Sequence, residues 1–149
     1  MKNPKNPTLL HEVEHAGLGA ARGHWSLDDY VSELASPDSR LFYIAGSMEG
    51  FVLYRDVAGD VEIMNLAVRT KGQGHGTLLL QNFLSTLFGS SPKLPRKIFL
   101  EVAASNVSAR RIYEKLGFRE GATRRAYYRS GEDAVLYSRE ASAGDVKDV

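Results

Sequence analysis

The chain has 149 residues, which suits one domain with one core. Hydrophobic residues make up 43% and charged residues 25%, and the net charge is +1, so a protein devoted to neutralising a nucleic-acid backbone is not expected. The absence of cysteine excludes disulfides, thiolate metal sites and a cysteine nucleophile. No apolar run approaches the ~18 residues that span a bilayer. The opening "MKNPKNPTLL" has basic residues but no apolar stretch behind them, so no secretory signal is expected. The composition predicts a soluble, cytoplasmic protein with no DNA or membrane partner and no metal.

Residues 1–8 are rich in proline and asparagine and predict a flexible arm. A domain over 9–140 and a flexible tail over 141–149 complete the expected organisation. "LLHEVEHAGLGAARGHW" predicts a helix, with Leu10, Val13, Leu18 and Ala21 at helical spacings. "SLDDYVSELAS" predicts a second helix. Ser26 is its N-cap, Asp29 sits at the capping-box distance, Tyr30, Val31 and Leu34 form its apolar face, and Pro37 stops it.

"LFYIAG" and "GFVLYRDV" read as a β-hairpin, and "DVEIMNLAV" as a third, central strand. "TLLLQNFLSTLF" puts Leu79, Leu80, Phe83, Leu84 and Leu87 on one broad helical face. "IFLEVA" predicts a buried strand. "NVSARRIYEKLGF" predicts a helix capped by Asn106 and ended by Gly117, with Val107, Ile112, Tyr113 and Leu116 as its apolar stripe. "AYYRSGEDAVLYSRE" reads as two strands around a turn at Ser130 and Gly131. Single helices between strands imply a parallel part of the sheet, while hairpins make the rest antiparallel. The expected class is a mixed α/β (α+β) single domain with helices flanking a central sheet.

The stretch "RTKGQGHGTLLL" places Gly72, Gly74 and Gly76 between a strand and a helix. A helix N-terminus offers free N–H groups and the positive end of its dipole, which suits a phosphate. The P-loop pattern fails for want of its Lys-Ser/Thr pair. The dinucleotide fingerprint fails because Leu79 stands at its third glycine. A coenzyme phosphate seat and a bare tight turn both remain open on these residues alone.

"LEVAASNVSARRIYEKLGF", taken with "KGQGHG", resembles the GNAT family of acetyl-coenzyme A dependent N-acetyltransferases. That family carries a glycine loop of form R/Q-x-x-G-x-G/A, a later strand, and an Asn-led helix with a Tyr that ends in "LGF". Within the family the chain is most similar to the RimI type, which acetylates the N-terminal alanine of a small-subunit ribosomal protein. "HWSLDDYVSEL", "NLAV" and "RRAYYRSGEDAVLY" carry that likeness, which runs from about residue 11 to 139. The chain departs from the pattern in several places. Lys71 heads the loop, and only five residues separate Val68 from Gly74, about two fewer than usual. His24 stands where a Pro precedes Trp25, and the family's first strand has no clear counterpart in "KNPTLL".

The resemblance implies a set of roles. Acetyl-coenzyme A, the co-substrate, would rest its pyrophosphate on the N–H groups of Gly72, Gln73, Gly74, His75, Gly76 and Thr77. His75 is open to a second reading as a solvated loop side chain. Its pantetheine arm would pair with the backbone of Leu66, Ala67 and Val68, and Asn106 would add a side-chain hydrogen bond. Glu101 would be the general base, with Glu62 the alternative base from the preceding central strand. Tyr113 would protonate the departing thiolate. An α-amine has a pKa near ~8, so roughly a tenth is already neutral at pH 7 and a modest base suffices. The implied reaction is acetyl transfer to a protein N-terminal α-amine, on a ribosomal protein, by direct attack in a ternary complex. A small-molecule amine or a lysine as acceptor, and a non-catalytic acyl-coenzyme A binding module, are the alternatives. Arg110, Arg111, Arg124, Arg125 and Arg129 read as solvated surface charge.

Overall fold

A computed structural model of the chain describes residues 4–18, 25–43, 48–89, 97–128 and 130–140. Two helices come first, α1 (Pro7–Leu18) and α2 (Leu27–Leu34). Helix α1 starts two residues earlier than expected, at a proline. Proline suits a first turn because its missing N–H has no helical partner there. The arm expected over 1–8 therefore gives its last two residues to the helix. Residues 19–24, His24 among them, lie outside the described residues.

Helix α2 carries the predicted capping box: Asp29 N donates to Ser26 Oγ at 3.1 Å, and Ser26 N donates to the Asp29 carboxylate at 2.8 Å. Its buried side differs from expectation, since Val31 is exposed while Tyr30 and Glu33 are buried. Glu33 tolerates burial because Arg55 grips its carboxylate at two points, 2.8 and 2.6 Å.

The sheet follows, as β1 (Ser39–Tyr43), β2 (Gly50–Val57), β3 (Asp60–Val68), β4 (Lys97–Ala103), β5 (Arg119–Arg124) and β6 (Ala134–Glu140). Helix α3 (His75–Gly89) joins β3 to β4, and α4 (Val107–Lys115) joins β4 to β5. The order across the sheet is β1-β2-β3-β4-β6-β5, with β3 and β4 parallel and the other neighbours antiparallel. Strand β1 begins earlier than the predicted "LFYIAG", and residues 44–47 lie outside the described residues.

The last hairpin needs a correction. The strand partnering β6 is 119–124, not "AYYR". Ala126 has a left-handed φ of 50° and its N–H donates to Asp133 Oδ1, so this segment turns instead of extending. Strand β5 is exposed at every residue, so it shows no apolar alternation to read.

Helices α3 and α4 cover one face of the sheet, with Val61, Ile63, Leu79, Phe83, Ile98, Leu100 and Tyr113 in one cluster. Helices α1 and α2 cover the other face over β1–β3, with Leu10, Val13, Tyr30, Phe51, Leu53 and Ala67. Val107, expected in the apolar stripe of α4, is exposed.

Strand β3 holds a bulge. Leu53 faces Asn65 while its neighbour Tyr54 faces Ile63, so Met64 is an extra residue. The extra residue reverses the alternation, which puts Met64 in contact with the α1–α2 cluster and brings Asn65 to the same helices. Pairing between β3 and β4 ends close by, at Ile63 and Leu100. Beyond that point the two strands part.

Candidate active site

The parting of β3 and β4 opens a cleft of about 700 Å3. One wall is β3 from Ile63 to Val68 and the opposite wall is β4 from Leu100 to Ala103. The glycine loop and the first turn of α3 close one end, and Asn106 to Tyr113 of α4 form a flank.

The loop owes its shape to its glycines. Gly72 and Gly74 both have φ of +76°, a conformation that L side chains rarely adopt. A Cβ at either position would meet nothing within 4 Å, so open space lies over this backbone. Leu78 N donates to Gly74 O at 3.1 Å, which starts the helix. Gly76 packs closely against α4 instead, since a Cβ there would lie 3.2 Å from Ile112 Cδ1. Thr70 Oγ1 donates to Glu49 Oε1 at 3.0 Å, and His75 Nδ1 lies 3.7 Å from the same oxygen. An open seat of backbone N–H groups at a helix N-terminus fits a pyrophosphate.

Of the residues expected to bind coenzyme A, Leu66, Ala67, Val68, Gly72, Gly74, His75, Gly76, Thr77 and Asn106 line the cleft. Gln73 is exposed and does not line it. Asn106 caps α4, with Oδ1 accepting from Ala109 N at 3.2 Å.

The expected acid and base both line this cleft. Glu101 alternates with buried Leu100 and Val102 and so projects from the opposite face of β4, the face that α1 and α2 cover elsewhere. Its side chain is 17% exposed, and Arg124 Nε stands 3.3 Å from Oε1. Tyr113 is buried, with its ring 5.7 Å from that of Phe118 and 6.1 Å from that of Tyr137. Burial, and then the neighbouring Tyr128, pushes its phenol well above the ordinary range. It therefore keeps its proton at neutral pH and can donate it.

Glu62 is elsewhere. It shares the face of Glu101 but belongs to the paired half of the strands, opposite Phe99, and lines a separate depression with Arg55, Val57 and Asp60. Burial holds its pKa above the usual carboxylate range, against the pull of Arg55 and with the push of Glu101.

Residues 10–118 match the acetyltransferase (GNAT) family. The chain belongs to that family. This acetyltransferase is 37% identical over 117 residues to an uncharacterized N-acetyltransferase of Methanocaldococcus jannaschii, covering 76% of this chain and 69% of that protein. It is 31% identical over 136 residues to a Bacillus subtilis protein provisionally named a ribosomal protein bS18-alanine N-acetyltransferase, covering 85% and 84%. The crystal structure of the ribosomal-protein-S18-alanine N-acetyltransferase from Escherichia coli superposes with a TM-score of 0.72 at 27% identity, over 95% of this chain and 92% of that one. The protein is an acetyl-coenzyme A dependent N-acetyltransferase similar to the RimI type. Among the described residues, no cluster suited to a metal ion is present and no helix is long and apolar enough to cross a membrane.

Several residues of the acetyltransferase cleft escape a reading by strand and loop motif. Glu14, Trp25, Asn65 and Tyr128 all line it. Glu14 carries a legible signal, since it is a charge beside Val13 and four residues after Leu10 on the buried side of a helix. Tyr128 sits in the predicted strand that proves to be a turn. Burial, followed by the charge of Glu101, pushes its phenol up to about 12. Tyr127 is raised first by Glu101, and the Arg124 guanidinium lies 5.4 Å from its ring centre. Arg110 is a brace between elements, donating to Tyr137 Oη at 3.0 Å and Ala104 O at 2.9 Å and pairing with Glu120.

Proposed function

We propose that this acetyltransferase modifies the N-terminal α-amine of a protein, with the N-terminal alanine of a small-subunit ribosomal protein as its acceptor, in the cytoplasm. One observation carries this reading: Glu101, Tyr113 and the bare glycine loop line the same cleft, at the point where β3 and β4 part. The names of the Bacillus and Escherichia relatives support the choice of acceptor.

Gly72, Gly74, Gly76 and Thr77 hold the pyrophosphate of coenzyme A, with Asn106 and the β3 backbone from Leu66 to Val68 along its length. Bound acetyl-coenzyme A supplies the acetyl group as a thioester. Glu101 accepts a proton from the acceptor amine, directly or through a water, and the nitrogen attacks the carbonyl carbon. As the C–N bond forms and the C–S bond breaks, Tyr113 gives its proton to the departing sulfur. The chain has no cysteine to carry an acyl group, so the transfer is direct within a ternary complex. Binding energy from the coenzyme and peptide is used to align amine and thioester.

The test is release of free coenzyme A thiol from acetyl-coenzyme A and an alanine-starting ribosomal peptide. Its peptide with a blocked N-terminus, a lysine peptide and polyamines serve as comparisons. Turnover confined to free α-amines supports the reading. Faster turnover on lysine or polyamines overturns it.

A further inference from the structure

The mechanism above leaves a buried carboxylate of the cleft unused. Glu14 of α1 is 1% exposed, yet it lines the cleft. Its Oε1 accepts from Tyr30 Oη at 2.5 Å and from Asn65 Nδ2 at 2.8 Å. Asn65 Nδ2 also reaches Tyr30 Oη at 2.9 Å, and Asn65 Oδ1 accepts from Leu66 N at 2.9 Å. The carboxylate is thus fixed to the very strand that forms the cleft wall. The bulge at Met64 makes this possible, because it brings Asn65 towards α1. Trp25 lines the same cleft, with its ring 5.0 Å from that of Tyr30.

We propose that Glu14, backed by the indole of Trp25, is the anchor that captures the acceptor's ammonium group before Glu101 removes its proton. This rests on the acceptor being an amine, as the proposed function holds. A carboxylate and an aromatic face are what a cation seeks in a low-dielectric slot. The desolvation of Glu14 is met during folding, and Tyr30 and Asn65 orient it in advance. An arriving ammonium therefore meets a carboxylate that needs no rearrangement. Glu14 lies on the α1–α2 side of the sheet, the face from which Glu101 projects.

The consequence for kinetics is specific. An anion that favours the charged amine tightens ground-state binding and does nothing for the step that needs the amine neutral. Glu14→Gln keeps the shape and can keep both hydrogen bonds. It should raise the acceptor KM by ~10–100-fold, the range for one charged hydrogen bond, with kcat unchanged or higher and the acetyl-coenzyme A KM unchanged.

The deciding experiment compares binding, in the presence of coenzyme A, of an alanine-starting peptide and of the same peptide with its α-amine replaced by hydroxyl. The wild type should prefer the amine and Glu14→Gln should lose most of that preference. Retention of the preference by Glu14→Gln overturns the proposal. Tyr30→Phe leaves the carboxylate charge but removes one of its two orienting donors, and should weaken the preference less than Glu14→Gln does. In the unaltered protein, the carboxyl-carbon resonance of Glu14 should move on addition of the amine peptide and stay with the hydroxyl peptide. No movement with either overturns the proposal. If the wild type turns over no α-amine peptide but does acetylate lysine or polyamines, the proposed acceptor has failed instead. The amine and hydroxyl comparison then transfers to that acceptor.

Discussion

Strands β3 and β4 divide into a closed half and an open half, and each half holds one carboxylate on the same face of the sheet. In the closed half, Asp60–Ile63 pair with Lys97–Leu100, and Glu62 lies there beside Arg55, which also grips Glu33. In the open half, Glu101 faces a large cleft with Tyr113 and Tyr128 near it. The residue type, the face and the strand environment are alike. What differs is whether the strand alongside is still paired. Paired backbone leaves no room for a substrate, whereas parted strands expose edges that an extended chain can match. The bulge at Met64 and the end of pairing at Ile63 thus decide which glutamate lines the cleft.

The sharpest test of that contrast is a pair of isosteric changes. Glu101→Gln should lower kcat by ~10²–10⁴-fold, the range for a lost general base. Glu62→Gln should leave kcat within ~3-fold, as a surface-like change away from the cleft does. Steady-state thiol release measures both, and the reverse ranking would move the chemistry to the closed half.

Tyr113 comes next. A thiolate is a fair leaving group, so Tyr113→Phe should cost about tenfold in kcat, below the usual range for a general acid. Its pH behaviour discriminates further. An acid must hold its proton to act, and burial raises this phenol above its ordinary ~10. The loss of kcat caused by Tyr113 should therefore begin only above pH ~10, and the phenylalanine variant should lack that limb. A Tyr113-dependent loss near neutrality would contradict the buried position.

The closed half can be broken separately. Arg55→Met leaves the buried Glu33 without its two-point partner and removes the cation that favours ionised Glu62. A buried acceptor stripped of its donor costs about 1–3 kcal/mol. Thermal unfolding should show a Tm lower by several degrees, with kcat at low temperature little changed. A large fall in kcat without a fall in Tm would mean that this cluster serves catalysis.

How much of this was legible beforehand follows the same division. The sequence order of helices and strands, the parallel pair, the capping box at Ser26 and Asp29, and the placement of Glu101 opposite Leu100 and Val102 all follow local rules of capping and alternation. The bulge does not. "DVEIMNLAV" reads as an unbroken strand, and nothing local says that Met64 is extra; the register is set by its pairing with β2. Strand β5 is illegible for another reason, as "REGATR" is exposed throughout and pairs as a strand with β6. The burial of Glu14 follows from helical spacing, but its hydrogen bonds do not, because Tyr30 and Asn65 are distant in sequence. The family resemblance named the candidate base and acid, while tertiary pairing decided which glutamate lines the cleft.

A smaller effect tests the loop that closes the open half. Gly74→Ala forces a left-handed φ on a residue with a Cβ, at roughly 1–2 kcal/mol. No atom lies within 4 Å of that Cβ, so the loop can relax and the fold should survive. The acetyl-coenzyme A KM should rise several-fold with the acceptor KM unchanged. Gly50→Ala is the contrast, because its Cβ would meet Ala67 O and Val68 Cγ1 at 2.9 Å and would strain the β2–β3 pairing itself.

The smallest effect returns to Glu62, now as a matter of stability. Burial raises its pKa in the folded chain, so folding disfavours its charged form. Below the ordinary carboxylate pKa of ~4.3 the group is protonated whether the chain is folded or not, and no penalty exists. As pH rises through the raised folded pKa, the unfolded chain loses its proton first and stability falls. At pH 7 the penalty is complete, so Glu62→Gln should have a slightly higher Tm than the wild type. The difference should close as pH drops below ~4. A lower Tm for the variant at pH 7 would show that the attraction of Arg55 outweighs burial. In either case the expected part of Glu62 lies in the charge balance of the closed half, away from the cleft that Glu101 lines.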